Sequence, residues 1–297
     1  MTATPSLTVG LPVYNGEQFL RAALDSILGQ TFDDFRLVVS DNGSTDATES
    51  ICREYAGLDP RIDYLRYDVN RGAAWNYNNV FANCKTPYFR WAAADDAFVP
   101  TCFERCAEVM AAAPGRVVLC YTKTLVIDEH GAVVGPYDDD LDLRSRSPHA
   151  RIYAIVRHMV QGNPTFGLFR AEVLRATRGH GIFPGADWVL MLEIALQGEV
   201  WEVPERLFLR RRHPGISRVL NPSPEAYTRF FDPTAKPVKH ERLRLLREYL
   251  AAVRHAELPP SERAKCYAAV TAAWTRRYGS IRRPLRRLER AARRRLA

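Results

Sequence analysis

The chain reads as an α/β protein, a largely parallel sheet with helices on both faces followed by a helical extension. Three observations predict this. Short apolar segments alternate with amphipathic ones through the first half. Asn15, Asp41, Asn42 and the pair Asp95-Asp96 all fall where those apolar segments end, and in open α/β sheets ligands bind beyond the carboxyl ends of the strands. From Pro222 onward the pattern is helical, with no strand-like segment.

Taken in order, residues 7–13 form the first strand and 36–40 the second. Between them Phe19, Leu20, Ala23, Leu24, Ile27 and Leu28 recur with helical period. Thr45-Asp46 opens a second helix, running to about Ala56, with Asp46 a capping element. Residues 62–66 are the third strand, 73–83 a helix and 88–94 the fourth strand. Pro100 begins another helix at a favourable first-turn position. After the segment 117–127, Glu129-His130-Gly131 reads as a hairpin turn and 138–142 as a solvated acidic loop. A helix over 150–160, a strand over 166–169, a helix over 187–196 and a strand over 207–212 follow. Helices over 239–256 and 261–278 are separated by Pro259-Pro260.

At 297 residues the chain can bury a full core. No apolar stretch is long enough to span a bilayer, and the N-terminus lacks the basic-then-apolar pattern of a signal peptide. The six cysteines include no Cys-x-x-Cys, so buried reduced thiols and a cytoplasmic setting are expected. The net charge of +8 is unevenly spread: residues 276–297 carry ten arginines against one glutamate, which leaves the body near neutral. Two adjacent carboxylates such as Asp95-Asp96 repel each other. A hard divalent ion held by oxygen ligands, its shell completed by water and phosphate, relieves that repulsion. The pair therefore hints at a nucleotide.

Leu11-Pro12-Val13-Tyr14-Asn15-Gly16 follows strand one, and Ser40-Asp41-Asn42-Gly43-Ser44-Thr45-Asp46 follows strand two. Asn70-Arg71-Gly72 follows strand three and Asp95-Asp96 strand four. From about Leu7 to about Ser217 the chain resembles the family 2 glycosyltransferases. The resemblance implies the GT-A nucleotide-diphospho-sugar fold, a Rossmann-like mixed sheet, with a C-terminal helical extension. It implies a catalytic domain over 1–220, its donor-binding half at about 1–122 and its acceptor half at about 123–220, then a helical region over 221–297.

The same resemblance implies roles. Pro12 and Tyr14 lie on the nucleobase and Asn15 supports their loop; Tyr14 offers a flat face for stacking, its alternative being a core position. Relatives usually carry two acids after strand two, where this chain has Asp41 and Asn42. An asparagine can accept the imide N–H of a pyrimidine and donate to its carbonyl, which favours a UDP- or TDP-sugar. Asp96 would ligate Mg²⁺ or Mn²⁺ on the donor phosphates, and Asp95 the ribose or a metal-bound water. Arg71 either holds a donor anion or lies in solvent. His213 completes the metal shell, and one of Arg210, Arg211 and Arg212 contacts the pyrophosphate, the alternative being an exposed basic turn. Asp187 is the expected base that deprotonates an acceptor hydroxyl, or else a helix cap. Trp91 and Trp188 either stack on a sugar or belong to the core, and Asn163-Pro164 and 167–170 fall where relatives shape the sugar and acceptor pocket.

The implied function is metal-dependent inverting transfer to a hydroxyl on a glycan, a lipid-linked glycan or a small natural product. The alternatives are a noncatalytic nucleotide-sugar-binding subunit, which donor hydrolysis with Mn²⁺ would exclude, and a sugar-nucleotide pyrophosphorylase. The latter would carry a Gly-rich basic loop after strand one, where this chain has Pro-Val-Tyr-Asn-Gly. Ile281, Leu285, Leu288, Ala292 and Leu296 recur with helical spacing among the arginines. That pattern suits an anionic membrane surface, hence peripheral attachment at the inner face of the cell membrane. Docking on the catalytic body, a protein contact and nonspecific nucleic-acid binding are the alternatives; nothing marks a specific nucleic-acid partner.

Overall fold

The computed structural model describes residues 6–215, 221, 223–236 and 240–279. Its strands are β1 (Leu7–Val13), β2 (Phe35–Asp41), β3 (Ile62–Arg66), β4 (Tyr88–Trp91), β5 (Ala97–Phe98), β6 (Val117–Ile127), β7 (Val133–Tyr137), β8 (Leu168–Arg170) and β9 (Glu199–Arg211). They form one mixed sheet in the order β3-β2-β1-β4-β8-β6-β9-β5, with β7 paired to β6. β1 is parallel to β2 on one side and to β4 on the other. The chain thus builds outward from β1 to β3 and then returns to β1's other edge. That reversal opens a crevice at the carboxyl ends of β1 and β4.

All seven residues of β1 are buried, as a strand covered on both faces requires. The period of two sorts side chains between the faces: Leu37 and Val39 join one core and Val38 the other. Helices α1 (Glu17–Leu28), α2 (Thr48–Leu58) and α4 (Cys102–Ala112) cover the first face. Helices α3 (Ala73–Ala82), α5 (Pro148–His158) and α7 (Ala186–Gln197) cover the second, with the short α6 (Ala171–Arg175) at its edge. α1 buries Phe19, Leu20, Ala23, Leu24 and Ile27, the stripe its sequence periodicity predicts. A side chain at Gly10 would meet Val80 and Phe89 at 2.8 Å, so the bare glycine lets α3 settle directly on β1.

The extension consists of α8 (Pro224–Phe231), α9 (Glu241–His255) and α10 (Pro260–Tyr278). α9 lies on α7, and α10 runs along α5. Their Leu245, Tyr249, Val253, Cys266 and Val270 share one apolar core with Phe169 and Leu190. Arg276 donates to the Tyr153 hydroxyl, and Arg277 donates to the carbonyls of Val156 (2.8 Å) and Met159 (2.6 Å). The arginine-rich segment therefore begins with two residues tied to the body. The amphipathic pattern from Ile281 to Leu296 lies outside the described residues. Among the described residues, no helix is long and apolar enough to cross a membrane. All six cysteines are buried free thiols.

Several boundaries differ from expectation: β9 begins at Glu199 rather than 207, α5 ends at His158 rather than 160, and two further differences bear on the site. α2 begins at Thr48 rather than Thr45, because the Thr45 amide donates to the Asn15 side chain (2.8 Å) instead of starting a helix. Asp46 accepts from the amides of both Glu17 (3.1 Å) and Thr48 (3.0 Å), joining the starts of α1 and α2. β4 stops at Trp91, not Ala94: the Ala92 amide makes the last bond to Gly10 (2.9 Å). The chain then turns through Asp95-Asp96 into β5, which pairs antiparallel with β9.

Candidate functional site

The crevice at the β1 and β4 ends gathers most of the predicted residues. Pro12 is buried in β1, whereas the Tyr14 ring is 46 % exposed and open to a ligand face. Asn15 adopts a left-handed φ of 49°, a conformation asparagine tolerates better than most residues. Its amide donates to the Ser44 hydroxyl (2.9 Å) while its side chain accepts from Thr45, so the loops after β1 and β2 are stitched together.

Asp41 and Asn42 are both fully enclosed. The Asp41 carboxylate accepts from the Ser44 amide and the Tyr64 hydroxyl (2.9 Å each) and faces the Arg66 guanidinium at 3.3 Å. Asn42 donates to the Asn70 side chain (3.0 Å) and the Gly72 carbonyl (3.1 Å) and accepts from the Arg71 amide (3.0 Å). Both of its N–H groups are committed to the loop after β3. The reading of Asn42 as a pyrimidine reader that donates to the base is corrected: its amide holds the Asn70-Arg71-Gly72 loop in place. Arg71 is exposed, its guanidinium above the rings of Trp75 (4.8 Å) and Tyr67 (5.7 Å).

Asp96 is buried and accepts from the Arg211 amide at 2.8 Å, a consequence of the β5–β9 register. Burial, then the neighbouring Asp95, push its carboxyl up to about 8. Asp95 is more open; its Oδ2 lies 3.1 Å from His213 Nε2, and its carbonyl accepts from Arg211 Nε at 2.9 Å. His213 thus stands beside Asp95, and its Nδ1 is buried without a partner among the described residues. Among the described residues no three His, Cys, Asp or Glu side chains converge as a ready-made cage. The residues still fit a hard divalent cation that takes most of its shell from phosphate and water. Asp96 is a strained acid whose ionised form a cation would favour, with Asp95 and His213 adjoining it.

Asp187 occupies the second position of α7, behind Gly185 at a left-handed φ of 85°. The helix cap is Gly185 and carries no side-chain bond, so Asp187 is not its N-cap. Burial raises its carboxyl, while the amides of Trp188 and Asp187 and the charge of Arg210 act to lower it. A Cβ at Gly162 would fall 2.4 Å from Asp187 Oδ2, so that glycine makes room for the carboxylate. Tyr77 on α3 was missed by sequence reasoning. Burial and the charges of Asp95, Asp96 and Asp187 raise its hydroxyl, and Arg210 opposes them. These three acids and Arg210 therefore all lie within electrostatic reach of the Tyr77 hydroxyl. A tyrosine on an amphipathic helix looks like core, so only the fold reveals where it points.

Of the two alternatives for the tryptophans, the core placement holds for both. Trp91 is buried among Phe89, Phe81 and Phe169, and its indole N–H donates to the Tyr77 carbonyl (3.0 Å). The Trp188 ring lies 4.6 Å beneath the Arg277 guanidinium. The segment 138–142 is not simply solvated either. Asp138 pairs with Arg206 (2.7 Å), but Asp139 and Leu141 are buried. Burial pushes the Asp139 carboxyl up to about 7, while a bond from Asn163 and the charge of Arg210 hold it down.

A mixed sheet of this order, with an acid pair, a third acid and arginines near its carboxyl edge, is of the GT-A type of fold. Solved structures agree. The crystal structure of Staphylococcus aureus TarS residues 1–349 superposes with a TM-score of 0.66 at 14% identity, covering 91% of this chain and 72% of that one. The Pyrobaculum calidifontis mannosyltransferase PcManGT, in complex with GDP-Man and Mn²⁺, gives 0.53 at 17% identity, covering 98% and 81%.

A model of Glycosyl transferase family 2 matches residues 8–141. An uncharacterized glycosyltransferase of Rickettsia prowazekii is 32% identical over 126 residues, 42% of this chain and 38% of that protein. The glycosyltransferase GlyA of Streptococcus pneumoniae is 36% identical over 115 residues, 37% of this chain and 16% of that protein. The chain thus spans less than two fifths of these curated relatives. The similarity to family 2 glycosyltransferases is therefore carried by residues 8–141, the part of the chain that holds β1 to β7 and the Asp95-Asp96 pair.

Proposed function

We propose that this protein is an inverting, metal-assisted glycosyltransferase that moves a sugar from a nucleoside-diphosphate donor to an acceptor hydroxyl. The observation that carries the reading is the gathering of Asp95-Asp96, Arg210 and Asp187 about Tyr77, with the Gly162-Asn163 turn set against both Asp187 and Arg210. In this reading Pro12 and Tyr14 receive the base, and Asp95 the ribose. Asp96, with Asp95 and His213 adjoining, holds Mg²⁺ or Mn²⁺; when bound, the cation neutralises charge developing on the leaving diphosphate. Asp187 takes the acceptor proton as the acceptor oxygen bonds to the anomeric carbon. The bond from that carbon to the phosphate oxygen breaks, and the nucleoside diphosphate leaves with the electron pair on the opposite side. Burial raises the basicity of Asp187 toward the range useful for a general base, while Arg210 and the start of α7 keep it ionised.

A UDP- or TDP-sugar is the favoured donor. Support comes from the fold shared with TarS, which has been solved in complex with UDP-GlcNAc (TM-score 0.65, 14% identity, 91% of this chain and 72% of that one). With the Asn42 N–H groups engaged, base choice falls to the open Tyr14 edge. We assign the carbohydrate, lipid-linked or small-molecule acceptor to the half of the cleft nearest Asp187, and membrane attachment to the basic segment past Gly279.

Thermal-shift screening of UDP-, TDP- and GDP-sugars with Mn²⁺ tests the donor, since a ligand at a hundred times its Kd stabilises by about 2.7 kcal/mol. Asp187→Asn should then abolish transfer while leaving donor binding intact. Transfer within a few-fold of the parent would refute the assignment of the base.

A further inference from the structure

Arg210 acts electrostatically on Asp96, Asp187 and Tyr77, yet it forms no direct ion pair among the described residues. Its Nη1 donates to the Asn163 side-chain oxygen, and the Asn163 Nδ2 donates to Asp139 Oδ2 at 3.0 Å. The amide orientation is dictated chemically: a guanidinium can only donate, an ionised carboxylate can only accept, and an amide does both. Asn163 and Asp139 are buried, so the chain of bonds is shielded from competing water. Asn163 follows Gly162, the residue that makes room for Asp187. One turn therefore touches both the candidate base and Arg210.

The arrangement compensates the Arg210 charge at one remove. A carboxylate in direct contact would occupy the face of the guanidinium that an anion needs. Held through Asn163, Arg210 keeps its remaining N–H groups and its charge for a ligand, and that charge already acts on Asp96, Asp187 and Tyr77. We propose that Asp139 is a positioning residue that, through Asn163, orients Arg210 toward the diphosphate of the donor. The proposal rests on the donor-binding reading given above.

Calorimetric titration of the full chain in Mn²⁺ tests it, with UDP, TDP and GDP and their parent nucleosides as probes. Asp139→Ala should weaken binding of the preferred diphosphate about tenfold, the scale of a misaligned charge-assisted bond, and leave the parent nucleoside within twofold. Asp139→Asn, which keeps an acceptor for Asn163, should stay within about threefold. On an Arg210→Gln background Asp139→Ala should add nothing. Equal loss for diphosphate and nucleoside, no loss at all, or a loss that persists without Arg210 would each overturn the positioning role. If the parent protein binds none of the three diphosphates, the donor-binding reading itself fails and this proposal falls with it.

Discussion

Gly162→Ala isolates the geometry of the candidate base from its chemistry. Gly162 has φ −88° and ψ 22°, a conformation open to any residue, so alanine carries no backbone penalty there. Its new methyl would sit 2.4 Å from Asp187 Oδ2. A carbon and an oxygen approach no closer than about 3.3 Å, so something must move by roughly 1 Å. The carboxylate is the end of a rotatable side chain and moves at little cost to the fold. A displacement of about 1 Å at a reacting group costs on the order of a hundredfold in rate. Gly162→Ala should therefore lower kcat about a hundredfold, leave the donor KM within a few-fold, and change stability by less than about 1 kcal/mol. Gly57→Ala is the matched control, for nothing lies within 4 Å of that position in α2. It should be silent in kcat and slightly stabilising. Steady-state kinetics and thermal melts of the two variants suffice. A Gly162→Ala enzyme with kcat within threefold of the parent would mean that Asp187's position does not limit the reaction.

Three further outcomes follow from the geometry. Asp96 titrates near 8 in the fold against an ordinary value of 3.8. Because the folded value is raised, its contribution is complete below about pH 4 and is lost as pH rises through 8. Without divalent ions, Asp96→Asn should therefore melt higher than the parent by roughly 5 °C at pH 8; at pH 4 the curves should coincide, and a gap independent of pH would refute the buried-acid account. Asn42→Ala would take the acceptor from the Arg71 amide, while Asn70 keeps its bond from the Gly72 amide and the Gly72 carbonyl its bond from the Asn76 amide, costing about 1–2 kcal/mol in urea unfolding; a loss under 0.5 kcal/mol would show that the loop is held otherwise. Removing 280–297 leaves Arg276 and Arg277 on α5 and takes away eight arginines and one glutamate. Sedimentation with anionic liposomes should fall severalfold while the melting temperature holds, and undiminished sedimentation would exclude the tail as a membrane anchor.

The local elements were legible because each rests on a short-range pattern. The β1 run, the α1 stripe and the Asp128–Ala132 turn are fixed by periodicity and by a glycine at φ 87°, and each lies where its residues predicted. The acid pair was legible for the same reason: two adjacent carboxylates after an apolar run stand out in any reading. Asn42 was misread because its partner, the loop after β3, is distant in sequence, and Trp188 was left open because Arg277 is. Tyr77 and Asp139 looked like core and solvent for want of any local signal to the contrary.

By itself, the sequence determined that strands would end in polar residues along one edge and that an acid pair would sit among them. Only the tertiary structure decided what faces what. The return of the chain to the far side of β1 opens the crevice, and the antiparallel β5–β9 register sets Asp96 against Arg211. The Gly162-Asn163 turn brings Asp187, Arg210 and Asp139 within reach of one another. Strand propensity and helical period are properties of neighbouring residues, whereas the charge environment of a carboxyl group is set by whatever packs around it.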